Sequence, residues 1–180
     1  MSVDSQQLQQ PTAIQPQGSE PEELQSEVLF NIRPARGSDF PIIQLMCEQA
    51  GMPFSEDFQF GTVAVNSDDQ PVGFIRILEV TQDVNPQGMG AYVYPVVVFE
   101  NWRHHGVARA LVDYELQRYK ALKLVACSPS RGFYHRAGFV TEAWDNIAAI
   151  IARDCELCAD RSCCEPQPFR KVLTKESELS

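Results

Sequence analysis

Apolar positions recur along this chain with two spacings, every second residue and every third to fourth, and the switches between them predict its elements. Val28-Leu29-Phe30-Asn31-Ile32 reads as a strand. Ser38 stands as N-cap of a helix, with Asp39 in the first turn and Pro41 tolerated there. Ile42, Leu45, Met46 and Gln49/Ala50 follow helical spacing, and Gly51 is placed to end it. Segments 62–65 and 72–80 read as strands. Ser67-Asp68-Asp69-Gln70-Pro71 between them is turn chemistry, so a hairpin is expected. Segment 91–98 is the next strand, and Pro95 inside it marks an edge, a bulge or a break. A helix over 105–120 shows Val107, Ala110, Leu111 and Tyr114 on one face. Segment 122–127 is a strand, and a short helix covers 130–137 and stops at Gly138. Segments 139–144 and 147–152 read as a last strand pair turning at Asp145-Asn146.

The order β-α-β-β-β-α-β-α-β-β predicts one α/β domain with a mixed sheet, over residues 28–152. The chain of 180 residues suffices for one sizeable core. Residues 1–27 are rich in Gln, Pro, Ser and Glu and cannot bury enough surface to offset their ordering entropy, so they read as a disordered acidic tail. Residues 153–180 read as a Cys-rich C-terminal extension, frayed from Thr174 onward.

Charge narrows the partners. The net charge is −9, and Asp4, Glu20, Glu22, Glu23 and Glu27 of the tail account for much of it, with no Lys or Arg beside them. A mildly acidic body argues against nucleic acid, which needs a basic surface. No apolar run reaches the length of a membrane span, and no basic flank with an apolar stretch marks a secretory signal, so a cytoplasmic location is expected. The sequence does not speak to oligomeric state.

The densest chemistry lies at 96–112. Val-rich strand residues lead through Glu100-Asn101-Trp102-Arg103-His104-His105-Gly106 into the amphipathic helix. Arg103, Gly106 and Ala108 are spaced R-x-x-G-x-A. Unpaired N–H groups at a helix start, with the helix dipole behind them, make an anion cradle. Gly106 lets the backbone approach a pyrophosphate, and Arg103, His104 and Arg109 add donors. One strand later comes Phe133-Tyr134-His135-Arg136-Ala137-Gly138-Phe139, in the form F-Y-x-x-x-G-F, with Ser128-Pro129 upstream.

These two segments resemble the acetyl-CoA motif and the aromatic signature of the GNAT superfamily of N-acetyltransferases. Phe30-Asn31-Ile32-Arg33-Pro34-Ala35 and Asp39-Phe40 resemble the family's opening strand and helix start. The resemblance covers about residues 28–152 in the right order. Three features depart from the family pattern: Glu100 stands where Pro is usual, His104-His105 replace a small or polar pair, and the Asn of the longer aromatic motif is missing.

The resemblance implies a mixed, mostly antiparallel sheet flanked by helices, with its fourth and fifth strands splayed, and acetyl-CoA as the acyl donor. It places the pantetheine arm along Val96, Val97 and Val98, and the pyrophosphate on Arg103, His104, His105, Gly106, Val107 and Ala108, with Arg109 near. It implies that the N–H of Val98 polarises the thioester carbonyl, that an unidentified primary amine attacks it directly in a ternary complex, and that Tyr134 protonates the departing thiolate. Glu79 and Glu100 are the candidate general bases.

The six cysteines add one open question. Cys47 and Cys127 read as small core residues. Cys155, Cys158, Cys163 and Cys164 cluster as C-x2-C-x4-C-C. Free or reversibly paired thiols, a zinc or iron–sulfur clip, and a partner-binding knuckle all fit that spacing. Adjacent Cys163 and Cys164 suit a single tetrahedral metal poorly, and no metal is expected. An alternative to the enzyme is an acyl-CoA-binding regulatory module whose cysteine loop senses redox state or metal.

Overall fold

The computed structural model describes residues 29–52, 54, 58 and 60–174. The expected disordered segment 1–27 and the end of the expected frayed tail lie outside them. Among the described residues seven strands form one sheet in the order β1-β2-β3-β4-β5-β7-β6. They are β1 (Asn31–Pro34), β2 (Thr62–Val65), β3 (Pro71–Val80), β4 (Gly90–Val98), β5 (Ala121–Ala126), β6 (Val140–Thr141) and β7 (Gln167–Val172). The helices are α1 (Phe40–Gln49), α2 (Val107–Tyr119), α3 (Arg131–Arg136), α4 (Ala149–Leu157) and α5 (Arg161–Cys164). Only β4 and β5 pair in parallel; the other five neighbours are antiparallel. The expected mixed, mostly antiparallel α/β sheet is therefore observed. None of the helices among the described residues is long and apolar enough to cross a membrane.

Alternation sorts the side chains onto two faces. On one, Val107, Leu111, Val112 and Leu116 of α2 pack with Ala64, Ile75, Val93, Leu122 and Leu124. A Cβ on Gly73 would lie 2.6 Å from a Val107 methyl, so glycine there is what lets α2 approach β3. On the other face, Ile43, Met46 and Cys47 of α1 pack with Val63, Phe74 and Val97, and Ile151 of α4 packs with Tyr92. Within α2 the buried polar residue is Glu115, which accepts from Thr62 Oγ1 at 2.5 Å and pairs with Arg118 at 2.9 Å.

Four expectations require correction. The helix expected from Ser38 begins at Phe40, after a single 3-10 turn over Gly37–Asp39. Asp39, not Ser38, serves the turn: its carboxylate accepts from the Arg36 amide at 2.7 Å and from Arg33 at 2.7 Å. Burial works to raise the Asp39 pKa, but these hydrogen bonds hold it below its ordinary value. The helix expected from His105 begins at Val107, because His104 and Gly106 take positive φ. The segment expected as a strand at 147–152 is the start of α4. Ile147, Ala148 and Ile151 suit a helix face as well as an alternating strand, and the Ala149 amide donates to Asp83 Oδ2 at 2.8 Å.

The fourth correction concerns the C-terminal segment. Residues 153–174 of the expected 153–180 extension are not appended to a finished domain, and 152 is not a domain boundary. Gln167–Val172 is inserted between β5 and β6 and pairs with both, residue by residue along all of β5. Phe169 of β7 is fully buried. The cysteine segment is thus held between two strands of the sheet, as α4, α5 and their connection.

Candidate active site

The sheet opens between β4 and β5. Their ladder holds a single pair, Tyr92 with Lys123, whereas β5 pairs with β7 over six residues. Val93 pairs with Ile77 and Val96 with Ile75, so β4 carries one extra residue around Tyr94-Pro95. This is the bulge that the position of Pro95 foretold as one of three outcomes. Beyond it the Phe99 amide donates to Val72 O at 3.0 Å. Antiparallel pairs alternate between bonded and non-bonded residues, so Val97 bonds to β3 while the N–H and C=O of Val96 and Val98 turn toward the gap. An unpaired row of backbone donors and acceptors therefore lines the opening.

On the α2 side of the opening lies a cavity of about 490 Å³, lined by Val98, Arg103, His104, Gly106, Val107, Ala108 and Arg109, with Phe133 and Arg136 of α3 opposite. Gly106 is the N-cap of α2 at φ 80, a left-handed conformation that disfavours residues with a Cβ. The first helical bond runs from the Ala110 amide to Gly106 O at 2.9 Å, which leaves the amides of Val107, Ala108 and Arg109 free to face a ligand. Arg103 and Arg136 carry no carboxylate partner among the described residues, while Arg109 pairs with Asp113 at 2.6 Å. Positive charge and free amides meet at one end of an otherwise apolar hollow, an arrangement suited to a phosphorylated ligand with a long uncharged arm.

A second cavity, of about 200 Å³, lies on the opposite face of the opening. Tyr92, Val93 and Tyr94 of β4 and Leu124 and Val125 of β5 form its floor; Ile151, Asp154 and Cys155 of α4 with Cys158, Arg161, Cys164 and Pro166 cover it. Burial raises the Tyr94 pKa, and the nearby Asp154 carboxylate raises it further. Burial likewise raises the Cys155 and Cys164 thiols, and the proximity of Cys155 to Cys164 adds to the first. All six cysteines are free. Among the described residues no group of three or more His, Cys, Asp or Glu side chains is placed to hold a metal ion.

The residues expected from the sequence distribute unevenly about the two cavities. Val98, Arg103, His104, Gly106, Val107, Ala108 and Arg109 line the first. Val96 presents its backbone to the gap, Val97 is core, and the His105 ring is tied to Arg103 O at 2.8 Å outside the cavity lining. Tyr134 is buried and lines neither cavity; its ring packs against Phe133, Phe139 and Phe169. Burial pushes its pKa far above that of a free phenol, with a smaller contribution from Cys127. Glu100 lies beside Arg103, below α1. Glu79 accepts from Tyr119 at 3.0 Å and pairs with Ala91, which is seven strand positions from Val98. At about 3.3 Å per residue that is roughly 20 Å from the end of β4 that faces the first cavity.

Sequence reasoning missed Phe133 and Arg136 as cavity residues, although both stand in the F-Y-x-x-x-G-F segment. Arg136, two residues beyond Tyr134, was legible as a second cation near the cradle. Asp154 and Arg161 carried no local signal.

Residues 59–141 match the family model described as an acetyltransferase (GNAT) domain. No curated protein matches the sequence. Solved structures match throughout the fold. Ard1 from Thermoplasma volcanium is 17% identical with a TM-score of 0.61, over 82% of this chain and 99% of its own. Rv2747 from Mycobacterium tuberculosis, in complex with CoA, is 18% identical with a TM-score of 0.62, over 80% and 99%. N-acetylglutamate synthase from Neisseria gonorrhoeae, complexed with coenzyme A and N-acetyl-glutamate, is 14% identical with a TM-score of 0.64, over 81% of this chain but 35% of its own. At such identities the likeness is one of fold. Residues 59–141 thus carry the match to a GNAT acetyltransferase domain, and the opened β4–β5 edge and the glycine-capped α2 accompany it in the fold.

Proposed function

We propose that this protein transfers an acetyl group from acetyl-CoA to a primary amine. The observation that carries the proposal is the free backbone edge of Val96 and Val98 between two cavities on opposite faces of the sheet. The pantetheine arm adds to that edge as an extra strand, and the pyrophosphate sits at the amides of Val107, Ala108 and Arg109 with Arg103 and Arg136 about it. The amine enters from the opposite cavity.

The amine nitrogen, unprotonated, attacks the thioester carbonyl carbon, whose oxygen accepts from the Val98 N–H as charge develops. The C–S bond then breaks, one proton leaves the nitrogen for solvent, and the sulfur gains one. Tyr134 supplies a hydrogen bond to that sulfur. Its raised pKa keeps the phenol protonated throughout the working range, and makes it a hydrogen-bond donor better than a complete proton donor. The placement of Glu79 supports no role as base. Glu100, on the other side of the Arg103 loop, would act only through water.

The experiment pairs two readouts on the whole chain: calorimetric titration with acetyl-CoA, and thiol detection of CoA released in the presence of an amine panel. Binding with amine-dependent release supports the proposal. Tight acyl-CoA binding with no release for any amine would favour the regulatory module, and absence of binding would remove both.

A further inference from the structure

Asp154 and Arg161 line the same 200 Å³ cavity behind the opening. Neither has an ion-pair partner among the described residues. The Tyr94 hydroxyl donates to Asp154 at 3.4 Å. The Arg161 guanidinium lies over the Trp144 ring, 5.7 Å from its centre. The ion pairs of the molecule involve other residues, among them Arg33 with Asp39 and Asp69, Arg109 with Asp113, Arg170 with Glu142 and Lys171 with Asp113. One unpaired anion and one unpaired cation facing a common hollow are complementary to a ligand that carries both charges.

The remaining wall is apolar: Leu124, Val125, Ile151 and the rings of Tyr92 and Tyr94. Its volume accommodates a small molecule and not a folded segment of polypeptide. A peptide N-terminus brings an amine but no neighbouring carboxylate, and would leave Arg161 unanswered. A polyamine would bring a second cation against it.

We propose that the acceptor bound here is a free amino acid with an apolar side chain, its amino group directed to Asp154 and its carboxylate to Arg161. This rests on the acetyl-transfer reading and names its substrate class. Arg161 is then a specificity residue, since it reads the carboxylate and stands apart from the reacting atoms. The cysteines on the same wall provide an independent report on occupancy, because Cys155, Cys158 and Cys164 line the cavity an acceptor would fill.

The test uses L-leucine, L-methionine and L-phenylalanine, with L-leucinamide and 3-methylbutylamine as analogues lacking the carboxylate. CoA release is measured together with the rate at which N-ethylmaleimide labels the three cavity cysteines in the presence of CoA. At least one of the amino acids is expected to be acetylated with a KM about tenfold or more below that of the analogues, and to slow labelling. Arg161→Gln should raise the KM for the amino acid about tenfold and leave that for 3-methylbutylamine unchanged. Asp154→Asn should raise both. Melting curves establish that each variant is folded. Equal use of amino acid and analogue, unaltered discrimination in R161Q, or amino acids that neither react nor protect would each overturn the assignment. If amines without a carboxylate are acetylated meanwhile, the acetyl-transfer reading survives; if CoA itself fails to bind, that reading falls first.

Discussion

The two sides of the β4–β5 opening are built in different ways. The α2 side comes from one continuous stretch: strand, loop, glycine cap and helix within residues 90–119. The α4 side comes from a segment whose path is fixed only when β7 returns to pair with β5. The first presents backbone amides and cations, a generic receptor for phosphate and an extended arm. The second presents Asp154 and Arg161, without ion-pair partners among the described residues, over an apolar floor. One side offers mainly backbone groups to a ligand, and the other mainly side chains.

The comparison can be broken most strongly through β7. Phe169→Ala removes a fully buried ring that packs on Tyr134 and should cost about 3–5 kcal/mol, lowering the melting temperature by roughly 10 °C or more. If stability were unchanged, the C-terminal strand would be a dispensable addition, and the contrast drawn here would vanish.

On the α2 side, Gly106→Val forces a β-branched residue toward φ 80, a strain of about 1–2 kcal/mol, and places its side chain beside the phosphate path. A Cβ there meets no protein atom within 4 Å, so the fold should survive. Calorimetry should show acetyl-CoA binding weakened roughly tenfold or more, and undiminished affinity would remove the cradle from this loop.

Tyr134 lines neither cavity and packs among Phe133, Phe139 and Phe169. Tyr134→Phe keeps the ring packing and deletes the hydroxyl, so the melting temperature should hold while kcat falls about tenfold, the worth of one hydrogen bond to developing charge. An unchanged kcat with a verified acceptor would leave Tyr134 a core residue alone.

The smallest effect is expected from serine at Cys155, Cys158 and Cys164 together. These thiols line the second cavity, burial raises the pKa of Cys155 and Cys164, and the proposed amine attack needs no enzyme nucleophile. Turnover should change less than about twofold by this argument. Loss of acetyl transfer in the folded triple variant would show that a thiol takes part.

What the sequence determined by itself is the part of the fold whose cause is local. The strand–loop–helix around Gly106 is legible because left-handed φ selects glycine, free amides need a helix start, and Val107 and Leu111 declare the buried face within a few residues. The bulge at Pro95 is foreshadowed because proline cannot donate to a ladder. What the tertiary structure alone decided depends on contacts distant in the chain. Ile147, Ala148 and Ile151 satisfy a strand or a helix equally, and Tyr92 together with the Asp83 carboxylate chose the helix. Gln167–Val172 follows a cysteine-rich stretch that reads as a tail, and only the unfilled edge of β5 makes it a central strand. Asp154 and Arg161 face one cavity because α4 and α5 are pinned between β6 and β7; hydrophobic periodicity encodes which side of an element is buried, but not which distant element will bury it.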